Sequence, residues 1–267
     1  PKALKTLSDA FTQGIENGLK SAGIGHGLVK SFASPRRLSV RISALEAQQA
    51  DKEVEKRGPS KKAALDKEGN PSRAVLGFAK SLGIEPSQLE EMETPKGAWL
   101  VYRSIEKGQA TKDLLIDIVA ESLNKLPIPK RMRWGAQRVE FVRPLQWVLM
   151  LFGNDVVPGD ILGIPTGNTT RGHRFHSEGL IEITDINAYE NVLLEQGKVI
   201  ADYEQRKEKI RAGVNAAAKE NNGEAVIDEA LLDEVASLNE WPVPLVGKFD
   251  ERFLEVPTEA LISSMKE

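Results

Sequence analysis

Apolar residues recur at Leu4, Leu7, Phe11, Ile15 and Leu19, with polar residues between them. Spacing of three and four predicts an amphipathic helix, stopped by the glycines at Gly23, Gly25 and Gly27. The period then drops to two. Leu38, Val40 and Ile42 alternate with Ser39 and Arg41, as in a half-buried strand, and "GLVKSFAS" before them reads as a second strand joined through "SPRR" at 34–37.

From 48 to 70 the hydrophobic period is lost among charged residues, with turn signals at Gly58-Pro59 and Gly69-Asn70. This predicts a solvated, charged helical excursion spanning roughly 48–92. It includes a helix opened by Pro71 and closed by Gly83, and a short helix near 87–91. "GAWLVYRSIEKG" from Gly97 is a strand by its aromatic and β-branched content, and "TKDLLIDIVAESLNKL" is an amphipathic helix N-capped by Thr111.

Beyond Pro127 and Pro129 the chain becomes basic, then runs into the apolar segment "LQWVLMLFG" at 145–153, a core strand. Strands continue through "DVVPGDILGI", "RGHRFHS" and "GLIEITD". Helices follow at 186–196, 202–220 and 228–239, then strand-like "PVPLVGKF" and helical "TEALISSMKE". Helices interleaved with strands in no steady βαβ rhythm predict an α+β fold with mixed or antiparallel sheets, not a doubly wound parallel sheet. The change of character divides the chain into α+β regions at 1–129 and 130–267, the second with a helical C-terminal part, unless the whole is one module.

Composition narrows the function. With 267 residues the chain is long enough to bury a core, and the 28% of charged residues nearly balance to a net −3, so nucleic-acid binding requires a local basic patch. There are no cysteines, which excludes disulfides, thiol catalysis and cysteine zinc sites and fits a reducing cytoplasm. No segment has the roughly 20 apolar residues that span a bilayer, and "PKALKTLSDAFTQGI" does not show the charged-then-apolar pattern of a signal peptide. An N-terminus without Met and a C-terminus inside a helical pattern predict a piece of a longer protein.

The usual nucleotide signatures are missing. No GxxxxGK[ST] loop occurs, and "GIGHG" at 23–27 is neither that loop nor a GxGxxG fingerprint, so it reads as a helix stop. His173 and His176, in "TTRGHRFHSEG", are pocket candidates. A strand would send them to opposite faces, which disfavours a shared metal ion. Glu240, between Asn239 and Trp241 ahead of two prolines, is a third pocket candidate or a turn cap. No nucleophile elbow marks a serine hydrolase.

Basic residues depart furthest from the average. Arg36, Arg37, Lys130, Arg131, Arg133, Arg138, Arg171 and Arg174 fall at loops or strand edges, with Trp134 and Phe175 nearby. Guanidinium groups beside aromatic rings suit RNA phosphates and unstacked bases. Equally, they suit ion pairs within the chain. Arg36, Arg37, Lys130, Arg131, Arg133, Arg171 and Arg174 are the candidate RNA-binding set, and no catalytic residue is assigned.

"FASPRRLSVRI", "PKRMRWG", "FVRPLQWVLMLFG", "TRGHRFHS" and "SLNEWPVPLVGKFDERFLEVPTEALISSMKE" together resemble the N-terminal region of the β subunit of bacterial glycyl-tRNA synthetase. The resemblance runs from the first helix to the last residue. It implies an α2β2 ligase in which the α subunit activates glycine with ATP and Mg²⁺ and the β subunit supports recognition of glycine tRNA. No cofactor is then expected on this chain, which alone should be inactive, and neither membrane nor DNA is an expected partner. It also implies later HD-type and anticodon-binding domains, and similarity to the B3/B4 module of the phenylalanyl-tRNA synthetase β subunit, where editing resides. A scaffold contacting the α subunit without touching tRNA, and an editing-like hydrolytic module, stay open as alternatives.

Overall fold

A computed structural model describes residues 3–265 apart from 67, 68, 96 and 137. The chain opens with α1 (Ala3–Ser21) and the hairpin β1 (Val29–Ser34) and β2 (Arg37–Ile42). Next come β3 (Lys52–Ser60), α2 (Arg73–Leu82), β4 (Glu90–Thr94), β5 (Gly97–Glu106) and α3 (Thr111–Asn124). A series of short strands follows: β6 (Met132–Arg133), β7 (Glu140–Phe141), β8 (Val148–Leu149), β9 (Leu151–Phe152), β10 (Asp155–Val156), β11 (Asp160–Ile161), β12 (Ile164–Gly167), β13 (Thr169–Arg171) and β14 (Leu180–Glu182). Helices α4 (Tyr189–Glu195), α5 (Tyr203–Glu220), α6 (Glu229–Leu238) and α7 (Thr258–Met265) complete the order. The last two residues of the predicted final helix lie outside the described residues. The class is α+β, as expected: small antiparallel sheets, with one parallel pairing between β8 and β12.

Two compact units form, but the division differs from 129/130: Ala47–Ala110 make one unit, Pro1–Glu46 and Thr111–Glu267 the other. The physical reason is the core of the larger unit. Leu7, Phe11, Ile15 and Leu19 of α1 pack with Leu115 and Ile118 of α3 and with Val157 and Ile161 from far beyond the proline pair. At the helix crossing, a Cβ on Gly14 would lie 2.9 Å from that of Ser122, and one on Gly18 would lie 2.6 Å from Ile118 Cγ2. Only glycine permits so close an approach. A second cluster joins Phe32 of β1 to Ile181, Ile183, Tyr189, Leu193, Val199 and Ala201. A third joins Ile210 of α5 to Leu232 and Ala236 of α6.

The smaller unit corrects the expected helical excursion. Lys52–Ser60 is a strand, paired antiparallel with β5 across Lys52↔Glu106 to Ser60↔Trp99 with an irregularity after Arg57. The short helix near 87–91 is only a 3₁₀ turn, Pro86–Gln88, before β4. Charge replaces apolar alternation here: Arg103 on central β5 pairs with Glu55 on β3 and Glu90 on β4, each at 2.9 Å. Cross-strand ion pairs of this kind stabilise a sheet without leaving a hydrophobic period. Helix α2 forms and is closed by Gly83 at φ 69° as predicted, but Ser72, accepting from Val75 N, caps its start, and Pro71 lies before the helix.

Three other expectations change in the larger unit. Thr111 is buried inside α3, and its hydroxyl donates to the Glu46 carbonyl at 2.6 Å, so it holds the two strands of chain together and does not cap the helix. The apolar run 145–153 is two short strands, β8 and β9, each with a different partner. "PVPLVGKF" forms no strand.

Candidate nucleic-acid interface

The turn at Pro35 and Arg36 closes the β1–β2 hairpin, whose last register pair is Ser34↔Arg37. That pair points into the protein and meets Glu240. The Arg37 and Glu240 side chains are 3% and 4% exposed and form an ion pair through Arg37 Nη1 and Glu240 Oε1. Ser34 Oγ donates to the same oxygen at 2.6 Å. Arg37 Nη2 donates to the Arg171 carbonyl, while Nε is buried with no hydrogen-bond partner. Glu240 is therefore neither a pocket acid nor a turn cap but the buried counterion of Arg37. Arg37, in turn, is withdrawn from any RNA phosphate.

A second buried arginine braces this junction. Arg206 of α5 donates to the carbonyls of Ala236, Ile200 and Ala33 at 2.8, 2.6 and 2.8 Å. Burial lowers its pKa to about 10, with the Glu240 carboxylate opposing the drop. Ile200 N donates to the Glu240 carbonyl at 2.9 Å, so the segments around 33, 200, 206, 236 and 240 converge.

Over this base lies the histidine turn. Strand β13 ends at Arg171, and residues 174–176 form a turn in place of the expected strand. His173 N donates to the Gly197 carbonyl at 2.6 Å, and Ser177 N to the His173 carbonyl at 3.1 Å. Arg36 Nη1 donates to the Gly172 carbonyl at 3.1 Å. Gly172 is required for space: a Cβ there would lie 2.3 Å from Ser177 Oγ and 2.6 Å from the Gly197 carbonyl oxygen. Successive arginines of the hairpin turn thus hold successive carbonyls of the histidine turn.

The imidazoles do not lie on opposite faces, as a strand would have placed them. They stack at 4.4 Å with planes 19° apart. His173 Nδ1 accepts from Phe175 N at 3.2 Å, which puts any ring proton on Nε2. Burial lowers the His173 pKa from 6.5, and the neighbouring His176, Arg36 and Arg37 push the same way against Glu240. Among the described residues, no hydroxyl or carboxylate is hydrogen-bonded to either imidazole, and no group of three His, Asp or Glu side chains could hold a metal ion.

The surface around the turn is basic and aromatic. Arg171 and Arg174 are exposed, Phe175 is 80% exposed, and the Arg174 guanidinium lies 5.6 Å from its ring. Arg36 sits 5.7 Å from the Trp147 ring; burial lowers its pKa, as do the charges of Arg37, Arg174 and Arg171. Lys198, next to the Gly197 that receives the His173 N–H, and Lys209 on α5 lie 5.8 and 4.3 Å from the Trp241 ring. Sequence reasoning missed Lys198, Lys209 and Trp241 as a group, because they come from three elements with no shared spacing.

The structure thus gathers Arg36, Arg37, Arg171, Arg174, His173, His176 and Glu240 around one turn. Arg131 and Arg133 are elsewhere, on a segment with its own partners: Arg131 donates to the Asn124 carbonyl at 2.8 Å and Arg133 faces Glu140 at 3.5 Å. Lys130 and Arg138 are exposed on that same segment.

Among the described residues, no helix is long and apolar enough to cross a membrane. A family model described as glycyl-tRNA synthetase beta subunit matches residues 1–267. Proteins named glycine–tRNA ligase beta subunit are similar over the whole chain: 61% identical in Marinobacter nauticus, 55% in Hahella chejuensis and 52% in Klebsiella pneumoniae. The chain spans 39%, 38% and 39% of their respective lengths.

Proposed function

The chain belongs to the glycyl-tRNA synthetase beta subunit family, and on that premise we propose that it gives a glycine–tRNA ligase a tRNA-contacting surface centred on the histidine turn. The activation of glycine with ATP and Mg²⁺ falls to an α subunit in this reading, and the assembly works in the cytoplasm. One observation carries the proposal: Arg171, Arg174, Lys198 and Lys209 have no carboxylate ion-pair partner among the described residues, with Arg174 beside exposed Phe175 and Lys198 and Lys209 beside half-buried Trp241. Unpaired cations beside aromatic rings are suited to a polyanion with accessible bases.

The test is binding of the full-length β subunit, assembled with its partner, to glycine tRNA and an unrelated tRNA across salt concentration. Each phosphate neutralised contributes about 0.7 to 0.9 to the slope of log affinity against log salt. Substituting both Arg171 and Arg174 by Ala should therefore reduce the slope by about 1.4 to 1.8 and weaken binding. An unchanged slope refutes the proposal.

A scaffold role is favoured by a different observation. Arg36, Arg37, Arg131 and Arg133, four of the seven candidate tRNA contacts, engage partners within the chain. In that reading the double variant binds tRNA normally but assembles poorly with the α subunit, which analytical ultracentrifugation would detect.

A further inference from the structure

We propose that Phe175, with the stacked imidazoles of His173 and His176 beside it, is a platform on which one unpaired nucleobase of the RNA stacks while Arg174 faces the adjoining phosphate. This inference rests on the tRNA-contacting reading above and names the part of the RNA that the turn takes.

Single exposed apolar side chains are common and need no explanation by themselves. Phe175 differs in how it is held. The turn beneath it is fixed by the His173 N bond to Gly197, the Ser177 N bond to His173, the bond from its own N–H to His173 Nδ1, and the Arg36 and Arg37 bonds to the carbonyls of 172 and 171. A ring presented on so constrained a backbone loses little freedom when it is covered. The aromatic surface also extends beyond one ring, because the Phe175 and His173 centroids are 6.1 Å apart and His173 stacks on His176.

The geometry favours an unpaired base over a duplex. Bases inside an A-form helix have their faces covered by neighbours, and aromatic side chains reach only those splayed out of the stack. Stacking tolerates any base, since each has a π-face, while the guanidinium 5.6 Å from the Phe175 ring supplies the charge that a backbone phosphate requires. An acidic protein partner would satisfy the arginines but would leave the stacked rings without a planar counterpart.

The experiment uses the full-length β subunit assembled with its partner, and the probes are a mixed-sequence single-stranded oligoribonucleotide and a blunt RNA duplex of equal length. F175A should weaken single-strand binding by about tenfold, leave duplex binding unchanged, and preserve the salt slope because no phosphate contact is removed. F175W should restore affinity, and its added tryptophan emission should be quenched at saturating single strand. Equal affinity of F175A and the unsubstituted protein, full rescue by F175L, or unquenched F175W emission would each overturn the platform. If the platform fails while the Arg171 and Arg174 double variant still lowers the salt slope, the broader RNA reading stands. If that slope is also unchanged, both fail. Far-ultraviolet circular dichroism of F175A should match the unsubstituted protein, since the ring lies outside every apolar core.

Discussion

Replacing Glu240 by alanine removes the carboxylate that neutralises Arg37, in a place where both side chains are almost fully excluded from water. The guanidinium would keep its bond to the Arg171 carbonyl, but Nη1 would lose its acceptor and Nε is already without one. Ser34 Oγ loses its acceptor at the same time. Breaking a buried pair from one side costs about 3–5 kcal/mol, because the remaining charge stays desolvated. E240Q keeps an oxygen for Ser34 and Arg37 and loses only the charge, so about 1.5–3 kcal/mol is expected. Combining E240Q with R37M should cost less than the two single losses added together, since no buried charge is then left behind. Urea unfolding followed by tryptophan emission measures all of these, with Trp147 and Trp241 close to the pair. A loss below about 1 kcal/mol for E240A, the range of an exposed ion pair, would refute the assignment of Glu240 as a buried counterion.

The remaining predictions concern the turn itself. His173 has a folded-state pKa below its ordinary 6.5, so as pH falls through 6.5 the unfolded chain takes up the proton first. Stability should therefore decline from neutral pH until the lowered folded-state pKa is passed, and H173N should flatten that part of a pH–denaturation profile. A profile unaltered in H173N would show that burial of this imidazole contributes nothing. G172A introduces a Cβ too close to both Ser177 and the Gly197 carbonyl. It should cost about 1–3 kcal/mol and weaken tRNA binding, with only partial recovery in G172A/S177G because the carbonyl clash remains.

Where burial was written as a period, the sequence could be read. Helix α1, the β1–β2 hairpin, α2, α3, α5 and α6 all follow apolar spacing or capping residues. Lys52–Ser60 was not legible, because its strand identity comes from Arg103 and the register of β5, not from any alternation of its own. The division into units was hidden for a similar reason: Val157 and Ile161 join the core of α1 and α3 by tertiary packing that leaves no local mark. At the candidate site, "TRGHRFHS" singled out Arg171, Arg174 and the histidines, which the structure places together at one turn. What escaped was the inward turn of Arg37. An arginine facing solvent and one facing a carboxylate 203 residues away look alike in sequence. Glu240 was singled out for its apolar neighbours, yet nothing near it could name its partner.

The hairpin turn and its counterion also stand far apart in time of synthesis. A ribosome that has made Arg37 must add 203 more residues before Glu240 exists, about 10–40 s at ordinary elongation rates of about 5–20 residues per second. During that interval Ser34 and Arg37 can remain solvated in a nascent hairpin, while Ala47–Ala110 can close through contacts of its own. The Arg171 and Gly172 carbonyls arrive next, but their arginine clamp still lacks its carboxylate. The arginine clamp on the basic turn therefore gains its counterion only when Glu240 is made, so a chain interrupted before Glu240 would carry Arg37 without the carboxylate that neutralises it.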